Sequence, residues 1–234
     1  MPREEALADT QVVSGTRDHR AAPKVRDVPP PRQNPSAIGP LFRWLFQWPY
    51  RWALAGLYRA GFRPWQLTIL SLLMNFVCGA LLLDGQRLLP GLLFLPAGLF
   101  DVFDGGVARL RGEESRKGAL LDSVIDRVSD GVMFGAIYLA EATVHGDRLT
   151  AGFALAAMVV SLLVSHVRAE GEAAGLHIAE GSVQRLERYV AVIIGLSVPG
   201  ALLPVLAGLT ALGLVTMVQR LTSAWRGLPR TATR

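Results

Sequence analysis

Six apolar runs, broken by short polar turns, fill residues 63–226. Their limits fall near 65–83, 88–110, 117–143, 149–170, 186–200 and 202–222, and most reach the roughly 20 residues that carry a helix across a hydrocarbon core. The fifth is the shortest, because Pro199 and Gly200 end it and leave almost no loop before the sixth. This pattern predicts an all-α integral membrane fold with six transmembrane helices. Residues 38–62 are patterned differently. Phe42, Trp44, Phe46, Trp48, Tyr50, Trp52 and Tyr58 interleave with Arg43, Gln47 and Arg51, which recur every fourth position as a polar stripe. Arginines at that density are costly inside a span, so an amphipathic helix lying in the membrane interface is predicted ahead of the six.

The two ends are polar. Residues 1–37 include Pro29-Pro30-Pro31 and lack the apolar core of a signal peptide, which predicts a disordered cytoplasmic tail, with a second short tail over 227–234. No repeat of 20–50 residues is visible, and no stretch is long enough for a second soluble domain.

Composition agrees with the pattern. Of 234 residues, 51% are hydrophobic and the mean hydropathy is +0.34, too apolar for an ordinary soluble domain. Cys78 is the single cysteine, so no intramolecular disulfide forms. The net charge of +5 comes from arginines that mostly flank apolar runs, a placement suited to anionic lipid headgroups rather than to nucleic acid. Arg59, Arg63, Arg109, Arg111, Arg116, Lys117, Arg168, Arg185, Arg188, Arg220 and Arg226 all fall on one side of the predicted bundle; the opposite loops hold Arg87 and Arg148. By the positive-inside rule both termini face the cytoplasm, in a cell (inner) membrane.

Against this background the charges within the apolar runs stand out, because a charged side chain inside a span costs several kcal/mol and by default marks function. Asp101 and Asp104 share one helical face with Ala108, with Gly105 beside them. Gly118, Asp122 and Asp126 form a stripe of four-residue steps on the following helix, and a charged turn over 111–117 joins the two. Two antiparallel helices then present two carboxylates each to one cleft at the cytoplasmic side. Four such groups cannot all ionise unless cations neutralise them. Converging hard oxygen donors suit Mg²⁺ or Mn²⁺ rather than zinc.

Asp101, Asp104, Gly105, Ala108, Arg109, Gly118, Asp122 and Asp126 fill every fixed position of D-x2-D-G-x2-A-R-x8-G-x3-D-x3-D. This stretch resembles the signature of the CDP-alcohol phosphatidyltransferase family. The resemblance implies transfer of a phosphatidyl group from CDP-diacylglycerol to an alcohol with release of CMP, by a homodimer using two divalent ions, Mg²⁺ or Mn²⁺. It implies that Asp101, Asp104, Asp122 and Asp126 are metal ligands, with Asp126 nearest the acceptor as general base. Asp101, Asp104, Gly105, Ala108, Arg109, Gly118 and Asp122 would bind the CDP-alcohol. Gly105, Ala108 and Gly118 stay small so that nucleotide approaches the backbone, or so that helices pack closely. Thr68 and Asn75 would touch nucleotide, as polar residues do there in relatives, or bond between helices.

The acceptor is read from the other helix ends. Residues 165–172, 184–188 and 215–220 resemble segments of bacterial phosphatidylinositol phosphate synthases, in which basic residues bind the phosphate of inositol phosphate. Arg168, Arg188 and Arg226 are the matching candidates, with Arg185 and Arg220 behind them; arginine suits a phosphate through charge-assisted, bidentate contacts. Glu170 stands where that branch commonly has arginine, and Leu186 where it has proline. Glycerol 3-phosphate would use a similar pocket. Asp130, one turn beyond Asp126, either pairs with Arg127 or lines the cleft. His145, His166 and His177 show no metal-ligand spacing. Two other classes compete with this enzyme: a membrane cation carrier, disfavoured because no second charged site is evident on the other side, and a family member that binds without turnover.

Overall fold

A computed structural model describes residues 25, 28, 39–176 and 185–227, with side chains left out for 39–46 and for Arg185 and Leu186. Most of the predicted N-terminal tail, the tail beyond Gly227, and His177 lie outside the described residues. Seven α-helices make up the described chain: α1 Gly39–Arg59, α2 Pro64–Leu83, α3 Leu88–Arg111, α4 Arg116–Leu139, α5 Arg148–Ala173, α6 Arg185–Ser197 and α7 Leu202–Gly227. A π-helical turn, Ala140–Val144, continues α4.

The boundaries follow local chemistry. Pro64 opens α2, where its missing N–H is one the helix does not use, and the Arg63 N–H donates to Gln66 Oε1 at 2.8 Å. Gly112 closes α3 in the left-handed conformation at φ 65°, which a Cβ would penalise. Ser115 caps α4 by accepting from the Gly118 N–H at 3.0 Å. Turn and cap together set the ends of α3 and α4 side by side.

α2 lies on α3 and α4, α5 on α4 and α7, and α6 bridges α3 and α7. Phe94, Met133, Phe134, Ile137, Val192 and Leu206 form the main core, where Phe94 meets Tyr189 edge-on at 6.2 Å. A second cluster joins α1 to α2 and α3 through Tyr50, Leu54, Leu67, Phe103 and Val107, and Val28 from the N-terminal stretch is buried within it. Gly106 makes this docking possible: a Cβ there would lie 2.5 Å from the Tyr50 hydroxyl.

The outward faces are apolar too. Leu73, Phe76 and Val77 on α2, Leu92 and Leu95 on α3, Val159 and Leu163 on α5, and Val215 and Val218 on α7 are exposed. A soluble monomer seldom exposes so much apolar surface. Four helices, α2, α3, α5 and α7, are long and apolar enough to cross a membrane. α4 is long but carries Asp122, Asp126, Arg127 and Asp130, and α6 is short, with 13 residues.

At the bundle end away from Gly112, Glu141 sits 1% exposed in the π-helical turn and accepts from Arg87 at 2.6 Å. So a second charged site does exist there, contrary to the sequence reading. The main apolar core separates it from the signature residues.

Candidate active site

Three of the four signature carboxylates converge. Asp101 on α3 and Asp122 and Asp126 on α4 each offer a carboxylate oxygen, and the three atoms lie within 4.8 Å of one another. Each of these groups is half-buried. Three hard anionic donors this close repel one another and suit a divalent ion. Asp104 is placed differently. It is 5% exposed, accepts from the Thr68 hydroxyl at 2.6 Å through Oδ2, and accepts from the Gly105 N–H through Oδ1. It therefore stands beside the three-carboxylate cluster, within electrostatic reach of Asp101 and Asp122.

Two cavities meet at this cluster. One, of about 310 Å³, lies between the start of α2 and the α3–α4 turn; Thr68, Asp104, Gly105, Ala108, Arg109, Gly118 and Asp122 line it. Every signature position except Asp101 and Asp126 therefore faces one space. A Cβ on Gly105 would touch nothing nearer than Arg109 at 3.6 Å, so its small size leaves the cavity open rather than relieving a helix contact. Gly118 differs, because a Cβ there would crowd its own cap, Ser115, at 3.1 Å.

The other cavity, of about 420 Å³, opens among α3, α4, α5, α6 and α7. Asp101, Asp122 and Asp126 form one wall, and Arg127, Arg168, Arg188 and Arg220 stand around the rest. Asp122 lines both cavities. Arg188 donates to Asp130 at 2.7 Å with a side chain 12% exposed. Arg220, buried in α7, donates to the Val164 carbonyl at 2.9 Å. Arg168 is more open and pairs with Glu172 at 2.8 Å.

The other predicted residues fall elsewhere. Arg226 is exposed in the last turn of α7 and does not line the arginine-bearing cavity, and the Arg185 side chain lies outside the described set. Glu170 is exposed and does not line the cavity; Glu172 does. Asn75 bonds between helices, accepting from the Tyr189 hydroxyl at 3.0 Å. Asp130 pairs with Arg188 and not with Arg127.

Sequence spacing alone does not mark Arg127 as a site residue. It lines the larger cavity and donates to the Ser123 carbonyl at 2.6 Å, to the Ser123 hydroxyl, and to the Ser165 carbonyl at 3.4 Å. The i, i+4 relation of Ser123 and Arg127 was the available signal. Trp65, Glu113 and Glu114, likewise unmarked by spacing, line the smaller cavity.

Comparison with known proteins gives the family. The profile of the CDP-alcohol phosphatidyltransferase family matches residues 62–224. The phosphatidylinositol phosphate synthase of Mycobacterium marinum is 36% identical over 183 residues, covering 73% of this chain and 76% of that protein. The crystal structure of the Mycobacterium tuberculosis phosphatidylinositol phosphate synthase with CDP-DAG bound superposes with a TM-score of 0.70 at 31% identity, over 78% of this chain and 96% of the other. The same mycobacterial enzyme in complex with manganese and citrate gives a TM-score of 0.69 at 31% identity, over 78% and 91%.

Proposed function

Because the chain belongs to the CDP-alcohol phosphatidyltransferase family, we propose that it transfers the phosphatidyl group of CDP-diacylglycerol to inositol phosphate and releases CMP. It is a multi-pass membrane protein. The observation that carries the reading is the shared wall: Asp122 belongs at once to a cavity framed by the signature and to a cavity ringed by arginines. The first suits a nucleotide and its pyrophosphate; the second suits a phosphorylated alcohol.

Asp101, Asp122 and Asp126 would hold divalent metal, Mg²⁺ or Mn²⁺, with Asp104 completing a site for two ions. When bound, such ions offset pyrophosphate charge and acidify the acceptor hydroxyl. The protein's part is placement. Gly105 and Ala108 admit the nucleotide, Arg109 meets its phosphates, and Thr68 fixes Asp104. Arg188, Arg220, Arg168 and Arg127 hold the acceptor phosphate so that its hydroxyl oxygen faces the phosphatidyl phosphorus. The oxygen–phosphorus bond forms as the bond to CMP breaks, and Asp126 accepts the hydroxyl proton.

The surrounding assembly is read in the same terms. α4 and α6 cross the membrane alongside the four more apolar helices, because their charged faces turn inward to the cavities. α1, with Trp48 and Trp52 exposed, lies in the interface. The arginines flanking the apolar runs support a reading in which the cavities open to the cytoplasmic side of the inner membrane, and the family resemblance supports a homodimer.

The test is CMP release by the purified protein with CDP-diacylglycerol and Mg²⁺, offered inositol 1-phosphate, glycerol 3-phosphate, serine or free inositol. Turnover with inositol 1-phosphate is expected. Turnover with glycerol 3-phosphate alone would reassign the acceptor and keep the chemistry.

A further inference from the structure

α4 carries three acidic residues at four-residue steps, and they do different things. Asp122 and Asp126 belong to the carboxylate cluster. Asp130, one turn deeper, is 3% exposed and takes no part in it. Its Oδ2 accepts from Arg188 at 2.7 Å and from the Ser161 hydroxyl at 2.7 Å. α4, α5 and α6 are thus tied together at one oxygen atom.

A buried ion pair can be a clamp and nothing more. Two features of this one point further. Both partners line the larger cavity, so the pair lies at its wall and not in the apolar core. The contact also engages only one terminal nitrogen of the guanidinium, and Nε is buried without a hydrogen-bond partner in the structure. A guanidinium has five donors, and a buried one left unmade is costly, so the group is set up to take a further acceptor.

Electrostatics gives the pair a second task. Asp101, Asp122 and Asp126 lie across the same cavity and would attract any loose arginine. A carboxylate one turn deeper, Asp130, binds Arg188 and holds it away from the cluster. We propose that Asp130, with Ser161, is a positioning residue that aims Arg188 at the phosphate of the acceptor. This rests on the reading of the larger cavity as the acceptor site.

The experiment is a set of steady-state comparisons on the full chain, with CMP release followed as inositol 1-phosphate and CDP-diacylglycerol are varied in turn. Asp130→Asn should raise KM for inositol 1-phosphate about tenfold or more, the scale of one hydrogen bond to a charged group, and leave KM for CDP-diacylglycerol within about twofold. Ser161→Ala, a milder change, should raise the same KM by about two- to fivefold. In an Arg188→Gln background, Asp130→Asn should add nothing. Multiplying effects in that double variant, or parallel losses for both substrates with a lower melting temperature, would overturn the positioning role alone. Wild-type turnover with serine or free inositol, but with neither phosphorylated acceptor, would instead overturn the acceptor reading and remove the phosphate from Arg188.

Discussion

Thr68 and Asp104 meet across the α2–α3 contact, the hydroxyl donating to Oδ2 at 2.6 Å. The same hydroxyl lies 3.1 Å from the Pro64 carbonyl, and a threonine has one proton to give. The shorter contact, to a carboxylate buried beside two others, is the one we take to be made. It fixes the rotamer of the signature aspartate that stands apart from the three-carboxylate cluster. Thr68→Val keeps the shape and removes the donor. A hydrogen bond to a charged group contributes about 1.5–3 kcal/mol, so kcat/KM for CDP-diacylglycerol should fall about tenfold or more, with Thr68→Ser near wild type. CMP release at saturating acceptor measures it, and an unaltered valine variant would show that Asp104 needs no such support.

The three-carboxylate cluster predicts metal dependence residue by residue. Chelation should abolish CMP release, and Mg²⁺ or Mn²⁺ should restore it. Asp101→Asn, Asp122→Asn and Asp126→Asn each remove one anionic donor from a set within 4.8 Å, and turnover should fall at least about 100-fold in each. Manganese binding, followed by electron paramagnetic resonance, separates the roles. Asp101→Asn and Asp122→Asn should weaken binding in step with activity, whereas Asp126→Asn should lose more activity than binding if it is also the base.

The signature was legible in the sequence because its eight positions lie on two consecutive helices joined by one short turn, where helical spacing alone decides which side chains share a face. The same holds for the apolar runs, whose predicted limits lie close to those of α2, α3, α5 and α7. What spacing could not supply was partnership between distant elements. Asp130 pairs with Arg188, 58 residues away, although Arg127 was nearer in sequence. Arg127 instead turns toward Ser123 on its own helix and the Ser165 carbonyl on α5. Glu141 passed as part of an apolar run, because its partner Arg87 lies 54 residues upstream. Helix crossings set such pairs, and no local pattern encodes them.

That last pair predicts a stability effect separate from catalysis. Glu141 has a side chain 2% exposed, and Arg87 is its ion-pair partner. Arg87→Ala leaves a buried carboxylate uncompensated. Breaking a fully buried pair costs about 3–5 kcal/mol, and since the Arg87 side chain is 40% exposed we expect about 2 kcal/mol. Thermal melting in nanodiscs should show the loss, while KM for both substrates stays unchanged because the pair lies at the far end of the bundle. Adding Glu141→Leu should recover most of the stability, since an apolar replacement of both partners is often neutral. No recovery would mean that the carboxylate has a further role in the π-helical turn.

Close approach of α1 to α3 depends on the missing side chain of Gly106. In Gly106→Val, the new Cβ would sit 2.5 Å from the Tyr50 hydroxyl and 2.8 Å from Leu54, both on α1. Neither side chain is at a loose end, as both belong to the cluster with Phe103 and Val107. Overpacking of this kind costs about 1–3 kcal/mol. The backbone of α1 comes close to α3 alone among the described helices, and α2 joins their cluster through Leu67, so the strain should be relieved by lifting α1 off. Faster amide exchange in α1 with unchanged exchange in α5 and α7 would confirm it, and uniform loosening would show α1 to be part of one cooperative unit.

Asp147 gives a pH dependence whose sign follows from its bonds. It caps α5 from an exposed turn. Its carboxylate accepts from the Thr150 hydroxyl at 2.5 Å and from the Thr150 and Leu149 N–H groups at 3.0 and 3.1 Å. The Thr150 hydroxyl above all, then the Thr150 N–H, holds the carboxyl below its ordinary 3.8. A pKa lowered by folding means that the cap's contribution is present in full above 3.8 and is lost as the pH falls below that value, through the depressed pKa. Asp147→Ala should therefore melt earlier than wild type at neutral pH, and the two curves should converge in strong acid. Thr150→Val, which removes the strongest of these contacts but keeps the carboxylate, should narrow the acid range over which wild type retains its advantage. A gap between Asp147→Ala and wild type that persists undiminished into strong acid would mean that the side chain caps α5 equally well when protonated.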